Sequence, residues 1–162
     1  MADRENHEGN FRAEFVRRYG DGSLGGKQRY VEPGKKGRDL AAEVSSDESF
    51  KHDEWLVLVE IDAFNVAKPS VGQYFLLNHL CTHERDKTLF LVLNHYSGFN
   101  EQRTSKYMRY ASSKMGINNP IGYLAMTKDR FWSLCDTCKD IEALIKALTN
   151  QSAPTQQSCA GV

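Results

Sequence analysis

Two carboxylates, Glu60 and Asp62, stand at the end of the strongly apolar stretch 55–63 (WLVLVEIDA). They are two residues apart, so on a β-strand they lie on the same face. Burying carboxylates beside Leu58 and Ile61 is costly unless a cation or hydrogen bonds compensate. Clustered acidic oxygens suit a hard divalent ion such as Mg²⁺. A bound Mg²⁺ can activate water and stabilise charge on a phosphodiester.

A third carboxylate, Asp39, lies on the preceding predicted strand, residues 38–44. If that strand pairs with the strand at 55–63, Asp39 meets Glu60 and the two acids could hold one metal ion. The alternative is that Glu60 and Asp62 only end a strand that emerges into solvent, where acidic residues are usual. The residues alone leave both interpretations open.

The elements that must position these acids can be predicted from hydrophobic periodicity and turn residues. Helices are predicted at 10–19, 69–84 and 101–115, with one or two more in 131–148, and strands at 27–32, 38–44, 55–63, 88–94 and 121–126. Residues 45–53 are predicted to be a polar connection. The order α-β-β-β-α-β-α-β-α indicates an α/β fold with a mixed sheet flanked by helices. The two strands in 55–94 should be parallel, because a right-handed crossover joins them.

Length and composition favour one globular domain. The chain has 162 residues, 40% of them hydrophobic, with 21 Lys and Arg against 21 Asp and Glu. We predict a single domain at 10–149, a flexible N-terminus at 1–9 and a disordered tail at 150–162. The apolar stretches are too short to span a bilayer, and the first ten residues lack the apolar core of a secretory signal. We therefore expect a soluble, intracellular protein without a membrane partner.

Basic residues are concentrated in residues 100–131, which hold six basic side chains against two acidic ones. The predicted helix in this segment carries basic and tyrosine side chains together: Arg103, Lys106, Tyr107, Arg109, Tyr110 and Lys114. Most of them follow three- and four-residue steps and can share a broad face. The basic groups would pair with phosphates, and the tyrosines could pack on sugars or bases. The alternative is an amphipathic helix whose tyrosines pack inward.

A second basic stretch contains Lys35, Lys36 and Arg38 beside glycines. Mobile loop atoms there could approach a nucleic-acid backbone, although ordinary solvation of a loop explains the same composition. Lys68 stands just before Pro69, at the start of the predicted helix 69–84, and is a further candidate for a phosphate contact.

The element order and these residues together resemble the PD-(D/E)XK nuclease superfamily, the restriction-endonuclease-like proteins. That family has a helix, a three-stranded meander, a crossover helix and a further strand. It carries an acid on the second strand, a Glu-x-Lys on the third and often a Gln in the following helix. Asp39 matches the first acid, Glu60 the second motif and Gln73 the helix Gln, while Glu14 falls where many members keep an additional acid near the metal. The correspondence in element order covers most of residues 10–126.

The chain departs from the family pattern at Asp62, which stands where the family has Lys. The family's Lys is thought to position the attacking water and to help deprotonate it, so Asp replaces a positive charge by a negative one. Asp62 could instead be a further metal ligand, or Lys68 could return the charge from a different position. A third possibility is that the site is inactive and the fold survives as a binding module.

The resemblance implies a nuclease that uses Mg²⁺ or Mn²⁺ to hydrolyse phosphodiester bonds of nucleic acid, with DNA as the expected substrate. Asp39 and Glu60 would hold the metal, with Glu14 as an outer member of the set. Asp62 would assist or replace the usual Lys, and Gln73 would orient water or phosphate. Small size and the resemblance also suggest a homodimer whose two sites address two strands. The alternative is a catalytically inactive, nuclease-like module that binds nucleic acid or a protein partner.

Overall fold

A four-stranded sheet with helices on both faces forms the centre of the protein, in a computed structural model that describes residues 6–34 and 41–152. The elements in chain order are α1 (His7–Tyr19), β1 (Arg29–Val31), β2 (Glu43–Ser45), β3 (Glu48–His52), β4 (Trp55–Asp62), α2 (Ala67–Leu80), a short 3₁₀ turn (Arg85–Lys87), β5 (Thr88–Asn94), α3 (Glu101–Lys114), β6 (Gly122–Thr127), α4 (Lys128–Thr137) and α5 (Ile141–Gln151). None of the helices in the described ranges is long and apolar enough to cross a membrane.

The strand order in the central sheet is β3-β4-β5-β6. β3 is antiparallel to β4, whereas β4, β5 and β6 are mutually parallel. All seven residues of β5 are buried, as expected for a continuous apolar run in the middle of a parallel sheet. The predicted mixed α/β sheet and its parallel crossover are therefore confirmed. β1 and β2 form a separate two-stranded antiparallel sheet.

Alternation along β4 divides the core into two layers. Val57 and Val59 pack with Phe11 and Phe15 of α1 and with residues of α4 and α5. Leu58 points to the other face and packs with residues of α2 and α3. Because successive side chains of a strand alternate between faces, Glu60 belongs on the α2 side with Leu58.

One strand was missed by the sequence prediction. Residues 45–53, predicted to be a polar connection, contain β3, and β3 is the antiparallel neighbour of β4. With β3 on one side and β5 on the other, β4 has no free edge for the predicted strand 38–44. That segment contributes only its last residues to β2, which pairs with β1. The pairing that would bring Asp39 to Glu60 is therefore not formed in the described part of the chain, and Asp39 itself lies outside the described residues.

The ends of the domain also differ from the prediction. α1 begins at His7, three residues early, because the side chain of Asn6 accepts a hydrogen bond from the backbone N–H of Gly9. The closing segment forms two helices, and Asp140 caps the second through the N–H of Ala143. That helix runs to Gln151, two residues into the segment predicted as a tail.

Candidate active site

Glu60 and Gln73 are joined by a hydrogen bond between β4 and α2. The Nε2 of Gln73 donates to Oε2 of Glu60 at 2.5 Å and to the carbonyl oxygen of Ser45 at 2.6 Å. Gln73 therefore ties the helix to β4 and to the end of β2. The residues described in the structure offer the Glu60 carboxylate no other hydrogen bond and no ion pair. Gln73 is half-buried, so it is not simply a solvent-facing helix residue.

Asp47 is the carboxylate that the structure places beside Glu60. Its backbone N–H donates to the carbonyl oxygen of Val59 at 3.0 Å, and its Oδ2 accepts from the N–H of Ile61 at 2.8 Å. Val59 and Ile61 are the residues before and after Glu60, so these two bonds place Asp47 opposite Glu60 on the neighbouring strand. Sequence reasoning missed Asp47 because it treated this segment as a connection. The signal that could have found it is an acid at the start of a short strand preceding the Glu60 strand.

The pKa values of Glu60 and Asp47 are both raised in the folded protein. Burial raises the pKa of Glu60 to about 7, and the carboxylates of Asp47 and Asp62 act in the same direction. The Gln73 hydrogen bond and the charge of Lys27 oppose that rise. Burial also raises the pKa of Asp47, against the stabilising hydrogen bond from Ile61. A cation placed at this point would favour the ionised form of both acids.

Lys27 is the lysine whose charge acts on both Glu60 and Asp47. The residues on either side of it, Gly26 and Gln28, are hydrogen-bonded to the chain around the start of β3. The carbonyl oxygen of Gly26 accepts from the Ser49 hydroxyl at 2.8 Å, and that of Gln28 accepts from the N–H of Ser46 at 2.9 Å. The side chain of Lys27 is exposed. The residue predicted to return the missing charge, Lys68, lies exposed in the first turn of α2.

Asp62 closes the turn that follows β4. Its Oδ1 accepts a hydrogen bond of 2.9 Å from the N–H of Phe64, the geometry of an Asx turn. Within residues 6–34 and 41–152, no three His, Cys, Asp or Glu side chains are arranged to hold a metal ion by themselves. Mg²⁺ nevertheless needs only one or two carboxylates, because waters and substrate phosphates complete its shell. The oxygen donors of Asp47 and Glu60 fit that requirement.

Glu14 is not brought together with Glu60. Its carboxylate accepts hydrogen bonds from Arg17 at 2.7 and 2.8 Å and from Arg18 at 2.6 Å. These arginines lower the pKa of Glu14 to about 2. Its helix, α1, packs on the face of the sheet opposite α2. The structure thus gives Glu14 a place in a surface ion-pair network on α1, away from the predicted metal site.

Apart from Lys68, the predicted nucleic-acid contacts fall into two groups. Those on α3 are exposed, namely Arg103, Lys106, Arg109 and Tyr110, and the buried residues of that helix are Thr104 and Met108. Tyr110 is 65% exposed, so the alternative in which the tyrosines of this helix pack inward is wrong. The second group, Lys35, Lys36 and Arg38, lies outside the described residues together with Asp39.

Comparisons with protein-family models, with curated proteins and with solved structures find no match for this chain. The class of protein that its fold defines is an α/β domain with a mixed four-stranded sheet between two helical layers. A half-buried acid pair, Asp47 and Glu60, lies at the carboxyl end of β4, with Gln73 bonded to Glu60.

Proposed function

We propose that the protein is a metal-dependent nuclease that hydrolyses phosphodiester bonds of nucleic acid, with DNA as the expected substrate. The observation that carries this proposal is the convergence of Asp47, just before β3, with Glu60 of β4 and Gln73 of α2. In the nuclease superfamily that the sequence resembles, an acid, a Glu and a helix Gln come from elements in this same order. Asp47 takes the position that Asp39 was predicted to hold.

In this proposal the two acids bind the metal ion and Gln73 orients Glu60. Asp47 and Glu60 would hold Mg²⁺ or Mn²⁺, which would supply positive charge for the phosphodiester and an activated water. Gln73 holds the Glu60 carboxylate in one orientation through Oε2, which leaves Oε1 to bind a metal ion. Fixing the acid in advance lowers the reorganisation needed when substrate binds.

Lys27 supplies the positive charge that Asp62 does not. In this proposal its ammonium binds the phosphate beside Glu60, the role that the family gives to the Lys of its Glu-x-Lys motif. Its fixed backbone and exposed side chain support this assignment, as does its electrostatic effect on both acids. Asp62 then shapes the turn after β4 and would add negative charge near the point where the metal binds.

The exposed face of α3 supplies phosphate contacts away from the reacting bond. Arg103, Lys106 and Arg109 all lie on its solvent side, and neutralised phosphates are the main source of affinity for nucleic acid. A homodimer that brings two such sites to two strands stays a prediction from size and resemblance.

The test is cleavage of mixed single- and double-stranded DNA with Mg²⁺ or Mn²⁺. Wild type should cleave only with metal, and Glu60→Gln should lose at least a hundredfold in rate. Glu84→Gln, which changes an exposed acid outside the site, serves as the matched control and should cleave normally. Equal rates for wild type and Glu60→Gln would contradict the proposal.

A catalytically inactive module that binds nucleic acid or a protein partner is the second candidate. The observation that favours it is Asp62, which leaves the motif without its Lys and uses its carboxylate to close a turn. This candidate predicts no cleavage with either ion. It also predicts salt-sensitive binding of DNA that is the same in EDTA and in Mg²⁺.

A further inference from the structure

Two neighbouring loops present aromatic rings to solvent at the edge of the sheet where the candidate site lies. Phe64, in the loop after β4, is 72% exposed, and Tyr96, in the loop after β5, is 47% exposed. Because β4 and β5 are parallel, both loops leave the same edge of the sheet. A surface patch that contains several large, exposed apolar side chains is unusual in proteins and is typical of a binding site.

The backbones that carry these rings are held by one buried amide. Asn94 is 1% exposed, its Nδ2 donates to the carbonyl oxygen of Phe64 at 2.8 Å, and its Oδ1 accepts from the N–H of Tyr96 at 2.7 Å. The Asn65 amide donates to Gly98 at 3.4 Å and so adds a second link between the loops. The backbones of Phe64 and Tyr96 are therefore held next to each other before any ligand arrives, which reduces the entropy lost on binding.

Positive charge borders the two rings. Arg103, at the start of α3, donates to the carbonyl oxygen and to Oδ1 of Asn65, at 2.6 and 2.9 Å. Lys68 is exposed in the helix that follows the first loop. The nearest acid on α3, Glu101, is already paired with Arg130. One acid, Asp62, also lies beside the rings, because its carboxylate accepts from the N–H of Phe64. Arg103 and Lys68 outnumber it, and rings among these cations and the two Asn amides suit a polyanion that carries flat bases.

We propose that Phe64 and Tyr96 form a base-stacking platform for single-stranded nucleic acid and that Arg103 binds its backbone phosphate. Every base has a π-face, so such stacking tolerates any sequence. In a duplex both faces of each base are covered by its neighbours, and the platform cannot be used. This inference rests on the proposed function and names its substrate class as unpaired strands.

The platform is joined by a hydrogen bond to Asp62, which lies on the same strand as Glu60 of the acid pair. The N–H of Phe64 donates to the carboxylate of Asp62, two residues beyond Glu60 on β4. A strand whose bases stack on Phe64 and Tyr96 would therefore carry its backbone along the carboxyl end of β4. The two proposals thus concern one continuous surface, although each can be tested alone.

The experiment measures binding in EDTA, so that cleavage does not enter. A 16-nucleotide labelled oligothymidine and a 16-base-pair duplex are titrated by fluorescence anisotropy against wild type, Phe64→Ala and Tyr96→Ala. We expect tighter binding of the single strand, at least a fivefold loss in each variant, and retention in Phe64→Trp. Phe75→Ala is the matched control, because Phe75 is a similarly exposed ring on α2. Unchanged melting temperatures confirm that the variants fold.

Three results would overturn the platform. One is an affinity for the single strand that the alanine variants leave unchanged, and another is duplex binding as tight as single-strand binding. The third is a wild-type dimer, seen by light scattering, that both alanine variants dissociate without weakening oligonucleotide binding, since the rings would then dock a second copy. Glu60-dependent cleavage confined to duplex DNA would leave the nuclease proposal standing while this inference fails. Ring-dependent binding without any cleavage would do the reverse.

Discussion

The side-chain amide of Gln73 donates a 2.5 Å hydrogen bond to Oε2 of Glu60 and thereby joins α2 to β4. The same nitrogen donates to the carbonyl oxygen of Ser45, so both of its N–H groups are used. One glutamine thus holds an acid whose pKa is raised to about 7 and which no ion pair in the described part of the chain neutralises. A half-buried carboxylate with a raised pKa and no neutralising ion pair is typical of a functional site.

The pH dependence of stability should report Glu60. Its pKa is about 7 in the folded protein against 4.5 in the reference state, so the folded state holds the proton more tightly. The contribution of Glu60 to the free energy of unfolding is therefore fully present below pH 4.5 and is lost as the pH rises through 7. In EDTA we expect the free energy of unfolding to fall between pH 5 and 8 by on the order of 2 to 3 kcal/mol from this group. Urea unfolding of Glu60→Gln should show a smaller fall.

Glu84→Gln provides the control for that comparison, because Glu84 is exposed and should keep the wild-type slope. A wild-type slope in Glu60→Gln would show that the Glu60 carboxylate is not the titrating group.

Replacing Gln73 should weaken both the fold and the site. Gln73→Ala removes the donor to Glu60 and to the Ser45 carbonyl, and we expect a loss of about 1 to 2 kcal/mol in unfolding free energy. Cleavage should fall at least tenfold, because Glu60 is then free to turn. Gln102→Ala changes an exposed residue of α3 and is the control. Normal cleavage by a folded Gln73→Ala protein would remove Gln73 from the site.

Lys27 should behave as the positive charge of the site. We expect Lys27→Ala to lower the cleavage rate at least tenfold and to raise the pKa of Glu60, because its charge now lowers that pKa. Lys27→Arg should keep part of the rate. Lys51→Ala, which removes an exposed lysine of β3, is the matched control for both measurements.

A second variant separates this role from a structural one. Adding Asp62→Lys to Lys27→Ala restores the Glu-x-Lys spacing of the nuclease family that the sequence resembles. The double variant should recover cleavage if Lys27 acts by placing a positive charge beside Glu60. No recovery, in a double variant whose melting temperature matches that of Lys27→Ala, would speak against the assignment.

The ion pair between Arg12 and Glu48 should contribute strongly to stability. Glu48 is 2% exposed and accepts from Arg12 Nε at 2.7 Å and from the N–H of Ser49 at 2.9 Å. Removing Arg12 leaves a buried carboxylate without its cation, so Arg12→Ala should cost about 3 kcal/mol in urea unfolding. Arg29→Ala, which breaks the exposed pair with Glu43, should cost less than about 1 kcal/mol. Similar losses in both variants would contradict this difference.

The sequence was informative where burial follows from continuous apolar runs. β4 and β5 are such runs, and their parallel pairing follows from the helix between them. Glu60 follows from its place at the end of an apolar strand, whereas Gln73 follows only from the resemblance to the nuclease family. The structure joins the two by a hydrogen bond. Residues in those elements are positioned mainly by their own local pattern.

β3 could not be predicted because its polar residues are satisfied by distant partners. Glu48 is neutralised by Arg12, 36 residues away, and the Ser49 hydroxyl donates to Gly26, 23 residues away. Without those contacts, residues 45–53 have the composition of a loop. Sequence reasoning therefore favours Asp39 as the first acid and misses Asp47. Long-range hydrogen bonds of this kind leave no local pattern.

The most direct test of the central claim is metal-dependent cleavage of labelled DNA by Asp47→Asn beside wild type. Asn keeps an oxygen that can accept from Ile61, so the strand contact survives while the negative charge is lost. The account predicts that wild type cleaves with Mg²⁺ or Mn²⁺ and that Asp47→Asn does not, although it folds normally. Cleavage by Asp47→Asn at the wild-type rate, or no cleavage by wild type with either ion, would contradict it.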